Sequence, residues 1–274
     1  MTTKIGVLVP CYRVGKTASK VLESFSSRTL ERIHEVVAVD NCSPDDTFEV
    51  LRRAQAAGTD LARKLTIIRN AENYGLGGTQ KIAYRYFLDS GFTHFFIVHG
   101  DNQGNGDAIA GSFLDAFDRE PAADVIFASR FLAPGGVAEY SRLRTVGNRF
   151  FNLLTRVLTG VKMSDSGAGI VFYRAAVLDR VPFENLTNSF QFNPQLNILL
   201  GHLDDLKRLE VPLVWGDSEA GSNVRALEYC LTLSKILLGY RFRRSLLGRT
   251  GWRAFSSGPC EPRPSFELFR LPGP

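Results

Sequence analysis

A regular alternation of short apolar runs with helical segments over the first 130 residues constrains the fold more than any other feature of this chain. The runs are rich in β-branched and aromatic residues, which predicts buried strands, and the segments between them repeat apolar residues with helical periodicity. The predicted strands are 4–10, 35–40, 65–69, 92–99 and 124–129, and the predicted helices include 17–25, 79–91 and 108–120. Strands separated by helices predict an α/β fold with a mostly parallel central sheet flanked by helices on both faces.

The alternation ends near residue 130. It is followed by a Gly-rich loop, a helix predicted over 143–158, a short strand near Ile170 and a strand over 209–215. A chain of 274 residues, 44% of them hydrophobic, is long enough to bury one large core. We therefore predict one main domain over 1–224, a basic amphipathic helical segment over 225–253 and a loose Pro-rich tail over 254–274.

The positive charge of the chain is concentrated in its C-terminal segment. The formal net charge is +5, yet residues 225–253 hold seven basic side chains against one acidic residue, Glu228. The basic residues are Arg225, Lys235, Arg241, Arg243, Arg244, Arg249 and Arg253. Because the charge is confined to one segment, it argues against nucleic acid as a partner and favours a local contact with an anionic surface.

The sequence shows no signal for export or for a membrane span. No run of 18 uncharged apolar residues exists, and the N-terminus leads directly into the first predicted strand without a signal-peptide pattern. We expect a cytoplasmic protein. Its four cysteines are scattered, without a C-x-x-C pair, which predicts free thiols rather than a zinc site or a disulfide framework.

Candidate ligand-binding residues stand where three of the predicted strands end. The segment FFIVHGDNQG passes from an apolar run to His99, Asp101 and Gln103, while Pro10 and Asp40 end the first two strands. In open α/β sheets, ligands bind at the carboxyl ends of the strands. The sequence therefore predicts a ligand site at this edge of the sheet.

Seven short motifs follow one another along residues 4–224. They are VLVPCYRVG, VDNCSPDDT, NYGLGGTQKIAY, HGDNQ, ASRF, RTVGN and DSGAG. Their order and spacing resemble the family-two glycosyltransferases with a GT-A fold, and most closely the polyprenyl-phosphate sugar transferases of the dolichyl-phosphate mannosyltransferase type. HGDNQ stands where that family has D-x-D-x-Q, and it is similar to the H-G-D-x-Q of a divergent bacterial branch.

The chain also departs from that family pattern. Val14 replaces a Glu, Asn41 and Cys42 replace Asp and Gly, and the late R-x-x-G-x-S-K is replaced by DSEAGSN. A loop that carries Asp217 and Glu219 in place of cations repels pyrophosphate, so we expect it to contact sugar hydroxyls. Arg225 would then supply the missing charge, and the donor sugar need not be mannose.

The resemblance implies an inverting transfer of a sugar from a nucleotide-diphosphate donor. Negative charge grows on the pyrophosphate as the glycosidic bond breaks, and a divalent cation, Mg²⁺ or Mn²⁺, is the usual means of stabilising it. Asp101 is the first candidate metal ligand, with Gln103 and His99 beside it. The alternatives are a polar turn for Asp101 and Gln103, and a packed imidazole for His99.

The resemblance also implies which residues line the nucleotide pocket. Asp40 is suited to hydrogen-bond the base or the ribose, although a helix N-cap is an alternative. Asn41 in place of Asp leaves the choice between guanine and uracil open. Lys81 is expected either to neutralise phosphate or to lie on a solvated helix face. The full set is Pro10, Cys11, Tyr12, Asp40, Asn41, Lys81 and Gly100.

The acceptor site is implied by the same resemblance to contain Arg130, Arg144 and Asn148. Arginine grips a phosphate with two parallel hydrogen bonds, although surface ion pairs explain most arginines. A phosphate acceptor needs no strong base, so Asp165 would orient the acceptor or the sugar. With a hydroxyl acceptor, Asp165 becomes the first candidate base.

The C-terminal segment repeats Leu227, Leu231, Leu238 and Phe242 along one side of a predicted helix. A basic amphipathic helix is typical of a membrane-surface element, and a core-packing helix is the alternative. A polyprenyl phosphate is therefore the favoured acceptor, at the inner face of the membrane. A small soluble acceptor, or a non-catalytic nucleotide-sugar-binding scaffold, remains open at this point.

Overall fold

An eight-stranded sheet forms the centre of the molecule. The computed structural model describes residues 2–134, 142–167, 169–216, 226–248, 250–255 and 266–270. The strand order is β7-β5-β6-β4-β1-β2-β3-β8. The strands are β1 Ile5–Cys11, β2 Glu35–Asp40, β3 Leu65–Asn70, β4 His94–Ile97, β5 Val125–Ser129, β6 Val171–Arg174, β7 Arg208–Pro212 and β8 Phe266–Phe269.

Ten α-helices connect and flank the strands within the described residues. Several begin at side-chain caps; Asn105, for example, accepts a hydrogen bond from Ala108 N at 2.9 Å at the start of the sixth helix. The helices are α1 Ala18–Glu23, α2 Ser27–Arg32, α3 Thr47–Ala56, α4 Asp60–Lys64, α5 Gly75–Asp89, α6 Gly106–Arg119, α7 Arg142–Thr159, α8 Ala175–Leu178, α9 Phe192–Gly201 and α10 Ala226–Leu246.

The strand directions decide which loops meet. β1 pairs in parallel with β2 and β4, β2 with β3, and β5 with β7. β6 runs antiparallel between β4 and β5. The turns that follow the six strands of the same direction therefore lie along a single edge of the sheet. The chain also enters the antiparallel β6 at this edge.

Both faces of the sheet are buried, as continuous β-branched runs predict for parallel strands. Alternate residues of each strand point to opposite sides. Val37 and Ile97 join a core that includes α5, α9 and α10, whereas Val36 and Phe96 join a second core that includes α1, α3 and α6. The predicted α/β architecture is confirmed in the structure.

Helices α7 and α10 pack against each other, and each of them exposes a row of apolar side chains. α10 buries Leu233, Leu237 and Tyr240, which agrees with the core-packing alternative. Its other side exposes the predicted apolar residues, and a membrane-surface role for them stays a prediction. The exposed residues are Val146, Phe150, Leu153 and Val157 on α7 and Leu227, Leu231, Leu238, Phe242 and Leu246 on α10. We call this set the α7–α10 face. Among the described helices, none combines the length and apolarity that a membrane crossing requires.

The structure corrects one prediction about the chain after residue 130 and adds one helix that was not predicted. The tail is not loose over residues 266–269, because they form β8, antiparallel to β3. Phe269 packs its ring 5.2 Å from that of Phe48, which fixes this strand at the sheet edge. Helix α9 was not predicted, because its carboxamide side chains hide its apolar periodicity. The remaining predicted elements differ from the observed ones mainly at their ends.

Candidate active site

The ends of β1, β2 and β4 share an unusual backbone geometry at one edge of the sheet. Arg13, Cys42 and Asn102 each follow one of these strands and have φ values of 56°, 54° and 56°. Among the described residues, no other non-glycine residue has positive φ. Left-handed backbone is strained for residues with a side chain and concentrates at functional sites. The three turns mark this edge as the candidate site.

β1 and β4 approach each other closely where Gly100 passes Pro10. Gly100 N donates to Pro10 O at 3.2 Å, and a Cβ at Gly100 would lie 3.0 Å from Cys11 Sγ. Glycine permits this approach because it has no side chain. Burial and the carboxylates of Asp40 and Asp101 raise the pKa of the Cys11 thiol far above its usual range. Cys11 is therefore a protonated packing residue beneath the predicted nucleotide pocket.

Asp40 ends β2 with a fully buried carboxylate. Its Oδ1 accepts from Ser43 N at 3.1 Å, and its Oδ2 lies 3.4 Å from Arg69 Nε. Burial raises the pKa of Asp40, while the hydrogen bonds from Ser43 and the charge of Arg69 oppose that rise. Within the described residues, Oδ2 has no hydrogen-bond donor. A buried oxygen in that state suits a ligand hydroxyl or amide, and the N-cap alternative is not supported because Asp46 precedes α3.

Asn41 joins the end of β2 to the turn before α5. Its Nδ2 donates to Asn73 Oδ1 at 2.8 Å. Its Oδ1 accepts from Asn70 Nδ2 at 2.8 Å and from Tyr74 N at 3.0 Å. These bonds engage both polar atoms of the Asn41 carboxamide within the protein. The predicted hydrogen bond from Asn41 to the nucleotide would compete with them.

Lys81 lies in the interior rather than at the site edge. Its side chain is buried, and its ammonium donates to Leu186 O and, at 2.7 Å, to Asn188 Oδ1. The predicted solvated helix face is therefore wrong for Lys81. The predicted phosphate contact is not supported either, because these internal oxygens already bind the charge.

Asp101 and Gln103 form the turn after β4 and connect it to the loop after β7. Asp101 Oδ1 accepts from Gln103 N at 3.3 Å. Gln103 Nε2 donates to Gly216 O at 3.0 Å, and Gly216 N donates to Gln103 O at 2.7 Å. These bonds fix the position of both side chains relative to the β7 loop.

The donor set at this turn fits a metal held jointly with a substrate. In the part of the chain that the structure describes, no three His, Cys, Asp or Glu side chains are grouped closely enough to hold a metal alone. Mg²⁺ and Mn²⁺ sites in phosphate-processing proteins commonly use one or two protein oxygens together with phosphate oxygens. Asp101 and Gln103 supply a carboxylate and a carboxamide oxygen, which match this mode.

His99 lies between Trp215 and Gly169. Its ring meets the indole edge-on, with centroids 5.9 Å apart. Burial lowers the pKa of His99, while the Asp101 charge and a hydrogen bond to the Gly169 backbone raise it. The structure thus shows the packed imidazole, and ligation of a metal by His99 stays a prediction.

Arg130 and Asp165 form a two-pronged ion pair at the end of β5. Arg130 Nε lies 2.7 Å from Asp165 Oδ2, and its Nη2 lies 2.7 Å from Oδ1. The Arg130 backbone N also donates to Oδ2, at 3.2 Å. The Asp165 side chain is only 2% exposed and that of Arg130 only 13%. The carboxylate therefore fixes the direction of the guanidinium.

The loop that carries Asp165 is itself held by side-chain hydrogen bonds. Asn152 Nδ2 donates to Ser164 O at 2.7 Å, and its Oδ1 accepts from Ser166 N and Oγ at 2.9 and 2.8 Å. Ser164 Oγ also bonds Ser129 Oγ at 2.6 Å. The ion pair thus has a rigid base between α7 and β5.

The rest of the predicted acceptor site lies on or near α7. Asn148 is half-buried in the second turn of this helix, and Tyr12 is half-buried after β1. The side chain of Arg144 lies outside the described part of the chain, as do Asp217, Glu219 and Arg225. Their predicted roles remain predictions.

Several site residues were not identified from the sequence. Asn152 supports the Asp165 loop, Trp215 packs on His99, and Asn193 lies beside Gly169. Neither Asn152 nor Asn193 lies in one of the seven motifs. A signal for Asn193 was present, because FQFNPQLN places carboxamides at every second residue in an otherwise apolar segment.

The sequence model of Glycosyl transferase family 2 matches residues 6–181, which is more than half of the chain. Two relatives are similar at low identity. Polyprenol monophosphomannose synthase of Mycolicibacterium smegmatis is 23% identical over 231 residues, covering 82% of this chain and 84% of the relative. Undecaprenyl-phosphate mannosyltransferase of Micrococcus luteus is 22% identical over 191 residues, covering 69% and 74%.

The fold is similar to that of solved glycosyltransferases. Glucosyl-3-phosphoglycerate synthase from Mycobacterium tuberculosis, in complex with phosphoglyceric acid, superposes with a TM-score of 0.60 at 16% identity, covering 91% of this chain and 87% of that one. The same enzyme with Mn²⁺, UDP and its product gives a TM-score of 0.56 at 14% identity, covering 88% and 79%. The predicted GT-A fold is confirmed by this likeness.

Proposed function

Because this chain belongs to Glycosyl transferase family 2, we propose that it transfers a sugar, with inversion, from a nucleotide-diphosphate donor to a polyprenyl phosphate. The two relatives carry the names of enzymes that act with polyprenol or undecaprenyl phosphate. One structural neighbour was solved with Mn²⁺ and UDP. These likenesses support the donor class, the acceptor class and the use of a metal.

The donor is assigned to the edge formed by β1, β2 and β4. Oδ2 of Asp40, which has no hydrogen-bond donor among the described residues, accepts from the nucleoside, beside the backbone of Pro10, Cys11 and Tyr12. Asp101 and Gln103 would hold a divalent ion next to the donor's pyrophosphate. When bound, the ion neutralises the charge that develops on the leaving nucleotide.

The Arg130–Asp165 pair is the observation that carries the assignment of the acceptor. Both oxygens of the Asp165 carboxylate are engaged by the Arg130 guanidinium at 2.7 Å, so Asp165 orients Arg130 rather than a substrate group. A hydroxyl acceptor needs a base, whereas a phosphate is an anionic nucleophile and needs a cation to hold it. Arg130, fixed by Asp165, meets the second requirement.

The proposed reaction follows from this arrangement. Arg130 holds the acceptor phosphate so that one of its oxygens faces C1 of the donor sugar. That oxygen forms the new bond to C1 as the bond from C1 to the nucleotide's β-phosphate oxygen breaks, and the electron pair leaves with the nucleoside diphosphate. Attack from the side opposite the leaving group inverts C1, and no protein base takes a proton.

The α7–α10 face supports a membrane-bound acceptor. Its nine exposed apolar side chains lie on two adjacent helices, and exposed Arg149, Arg156, Lys235, Arg241 and Arg244 accompany them. An apolar face with basic side chains matches an anionic bilayer, into which the apolar residues insert while the cations meet the headgroups. The site lies beside this face, because Asn152 of α7 holds the Asp165 loop.

The function is tested by incubating the protein with a panel of GDP- and UDP-sugars, Mg²⁺ or Mn²⁺, and polyprenyl phosphate in detergent. We expect a polyprenyl-phosphate sugar of inverted anomeric configuration. Asp101→Asn should abolish turnover without loss of folding, and Arg130→Ala should abolish transfer but retain nucleotide binding. Donor binding without transfer or hydrolysis would favour the non-catalytic scaffold instead.

A small phosphorylated acceptor is the second candidate. The neighbour bound to phosphoglyceric acid shows that this fold can present a soluble acceptor of that kind. Arg130 would serve such a phosphate equally well. The same assay with 3-phosphoglycerate in place of the lipid decides between them, because transfer to 3-phosphoglycerate alone would overturn the lipid assignment.

A further inference from the structure

The strand order at the site edge separates the donor side from the acceptor side. Asp101 follows β4 and Arg130 follows β5, and β6 lies between these two strands. Because β6 is antiparallel to both, the chain reaches it at the site edge, through Gly169 and Ile170. A sugar that moves from a phosphate at Asp101 to an acceptor at Arg130 therefore passes over Gly169.

Asn193 lies next to Gly169 in the first turn of α9. Its side chain is 4% exposed, and its Oδ1 has no hydrogen-bond partner in the described part of the chain. A Cβ on Gly169 would lie 2.7 Å from Asn193 Nδ2 and 3.4 Å from His99 Nε2. Glycine at position 169 thus allows the carboxamide and the imidazole both to lie against the space that a side chain at this position would occupy.

An unpaired buried carbonyl oxygen costs stability unless a donor reaches it. Gln195 of the same helix shows the contrast, since its Oε1 accepts from Thr187 N at 3.1 Å. The missing partner of Asn193 must be a hydrogen-bond donor. Phosphate oxygens of either substrate are acceptors, and the nucleoside is proposed to bind at β1 and β2, so the donors that the bound substrates offer to Asn193 are the hydroxyl groups of the sugar.

We propose that Asn193 determines sugar specificity, because its Oδ1 accepts a hydrogen bond from a hydroxyl group of the transferred sugar. This assignment rests on the proposed function. A neutral carboxamide suits the task, since it selects a hydroxyl without adding negative charge beside the pyrophosphate.

Titration calorimetry with free nucleoside diphosphate and with the matching nucleotide sugar tests the contact, in the presence of Mn²⁺. Asn193→Leu keeps the side-chain size but removes Oδ1. We expect it to weaken binding of the nucleotide sugar about 3- to 10-fold and to leave binding of the nucleoside diphosphate unchanged. Gly169→Ala, whose methyl group would displace the carboxamide, should produce the same selective loss.

Gln195→Leu is the matched control, because it removes a buried carboxamide of the same helix whose bond runs within the protein. Gln195→Leu should lower the unfolding temperature of the protein. It should weaken the binding of both ligands equally, or of neither. If Asn193→Leu also weakens both ligands equally, or changes neither, Asn193 has only a structural role and the proposal fails.

Monodeoxy donors identify the contacted group. Removal of one hydroxyl should cost the wild type the same factor as Asn193→Leu, and the variant should lose nothing further with that donor. Additive losses at every hydroxyl would overturn the proposal. If the wild type transfers sugar but the losses from Asn193→Leu and from each missing hydroxyl are additive, only the Asn193 contact is refuted. If the wild type binds no nucleotide sugar, the proposed function is refuted as well.

Discussion

Individual residues at the site edge carry backbone strain that the rest of the sheet does not. Arg13, Cys42 and Asn102 adopt left-handed φ values in the turns that follow three parallel strands. This conformation costs on the order of 1 kcal/mol for a residue with a Cβ. Their sharp turns bring Asp40 and Asp101 to the strand ends, so the strain contributes to the geometry of the site.

Cys42→Gly should stabilise the protein. The substitution removes the left-handed strain at φ 54°, and although glycine adds entropy to the unfolded chain, the net gain should be about 0.5 kcal/mol. Cys42→Ala is the control, since it retains the Cβ and the strain. Denaturant unfolding curves of the two variants give the comparison, and an alanine variant more stable than the glycine variant would show that the turn is unstrained.

Asp165→Asn separates an orienting role from that of a base. If Asp165 fixes Arg130, the amide keeps one of the two side-chain bonds, and transfer should fall about 10- to 100-fold with an unchanged pH profile. Loss of a base would instead remove the acidic limb of the profile. The measurement is transfer rate against pH for the wild type and the variant, with nucleotide affinity expected to be the same for both.

At the scale of elements, α10 has one side in the protein core and another side that is exposed. α10 buries Leu233, Leu237 and Tyr240 in the core and exposes Leu231 and Leu238 on its opposite side. Deletion of this helix would therefore damage the core as well as the exposed face. Point substitutions on the exposed side are the appropriate test of membrane binding.

Leu153→Glu combined with Leu238→Glu should reduce binding to phosphatidylglycerol vesicles by at least about 10-fold. Both side chains are more than half exposed in the free protein, and each apolar side chain inserted into a bilayer contributes roughly 1–2 kcal/mol. Co-sedimentation with vesicles gives the binding constant. Nucleotide affinity should be unchanged, because the substitutions lie outside the nucleotide pocket.

Leu268→Glu is the matched control for this pair. Leu268 is an exposed leucine on β8, away from the α7–α10 face, and its substitution should leave vesicle binding unchanged. Equal binding by the double variant and the wild type at low ionic strength would exclude the α7–α10 face as the membrane contact.

At the scale of the whole molecule, the sequence predicted the parts whose signal is local. β1 to β5 were predicted because each buried strand is a continuous apolar run. β8 was not, because its four residues gain their strand conformation from pairing with β3. The sequence likewise placed Asp40 and Asp101 at one edge of the sheet. It did not predict that Lys81 is buried, because the direction of that side chain depends on which side of α5 faces residues 186–188, and the residue type does not encode this.

The dependence of stability on pH should reflect His94. Its ring stacks on Phe172 and touches Phe117, with Thr93 Oγ1 at 3.0 Å from Nδ1. Burial first, and the charge of Arg174 second, lower the pKa of His94 to about 4, and Asp124 opposes them weakly. Below pH ~6.5 the unfolded chain binds a proton that the folded one does not, so stability falls between pH ~6.5 and 4.

His94→Phe should flatten this acid dependence. The variant removes the titrating group and a buried Nε2 that has no hydrogen-bond partner among the described residues. The difference in unfolding free energy between pH 7.5 and pH 5 should shrink by on the order of 1 kcal/mol relative to the wild type. Parallel pH dependences of the two proteins would place the acid sensitivity elsewhere.

The pairing of β8 with β3 also bears on how copies of this protein behave in concentrated solution. A sheet that ended at β3 would present a row of unpaired amides and carbonyls, which is a template for another chain. β8 occupies that row, and Gln55 Nε2 donates to Phe269 O at 3.2 Å to hold the covering strand in place. Proteolytic removal of β8 would therefore expose the edge of β3 and favour aggregation by edge-to-edge association.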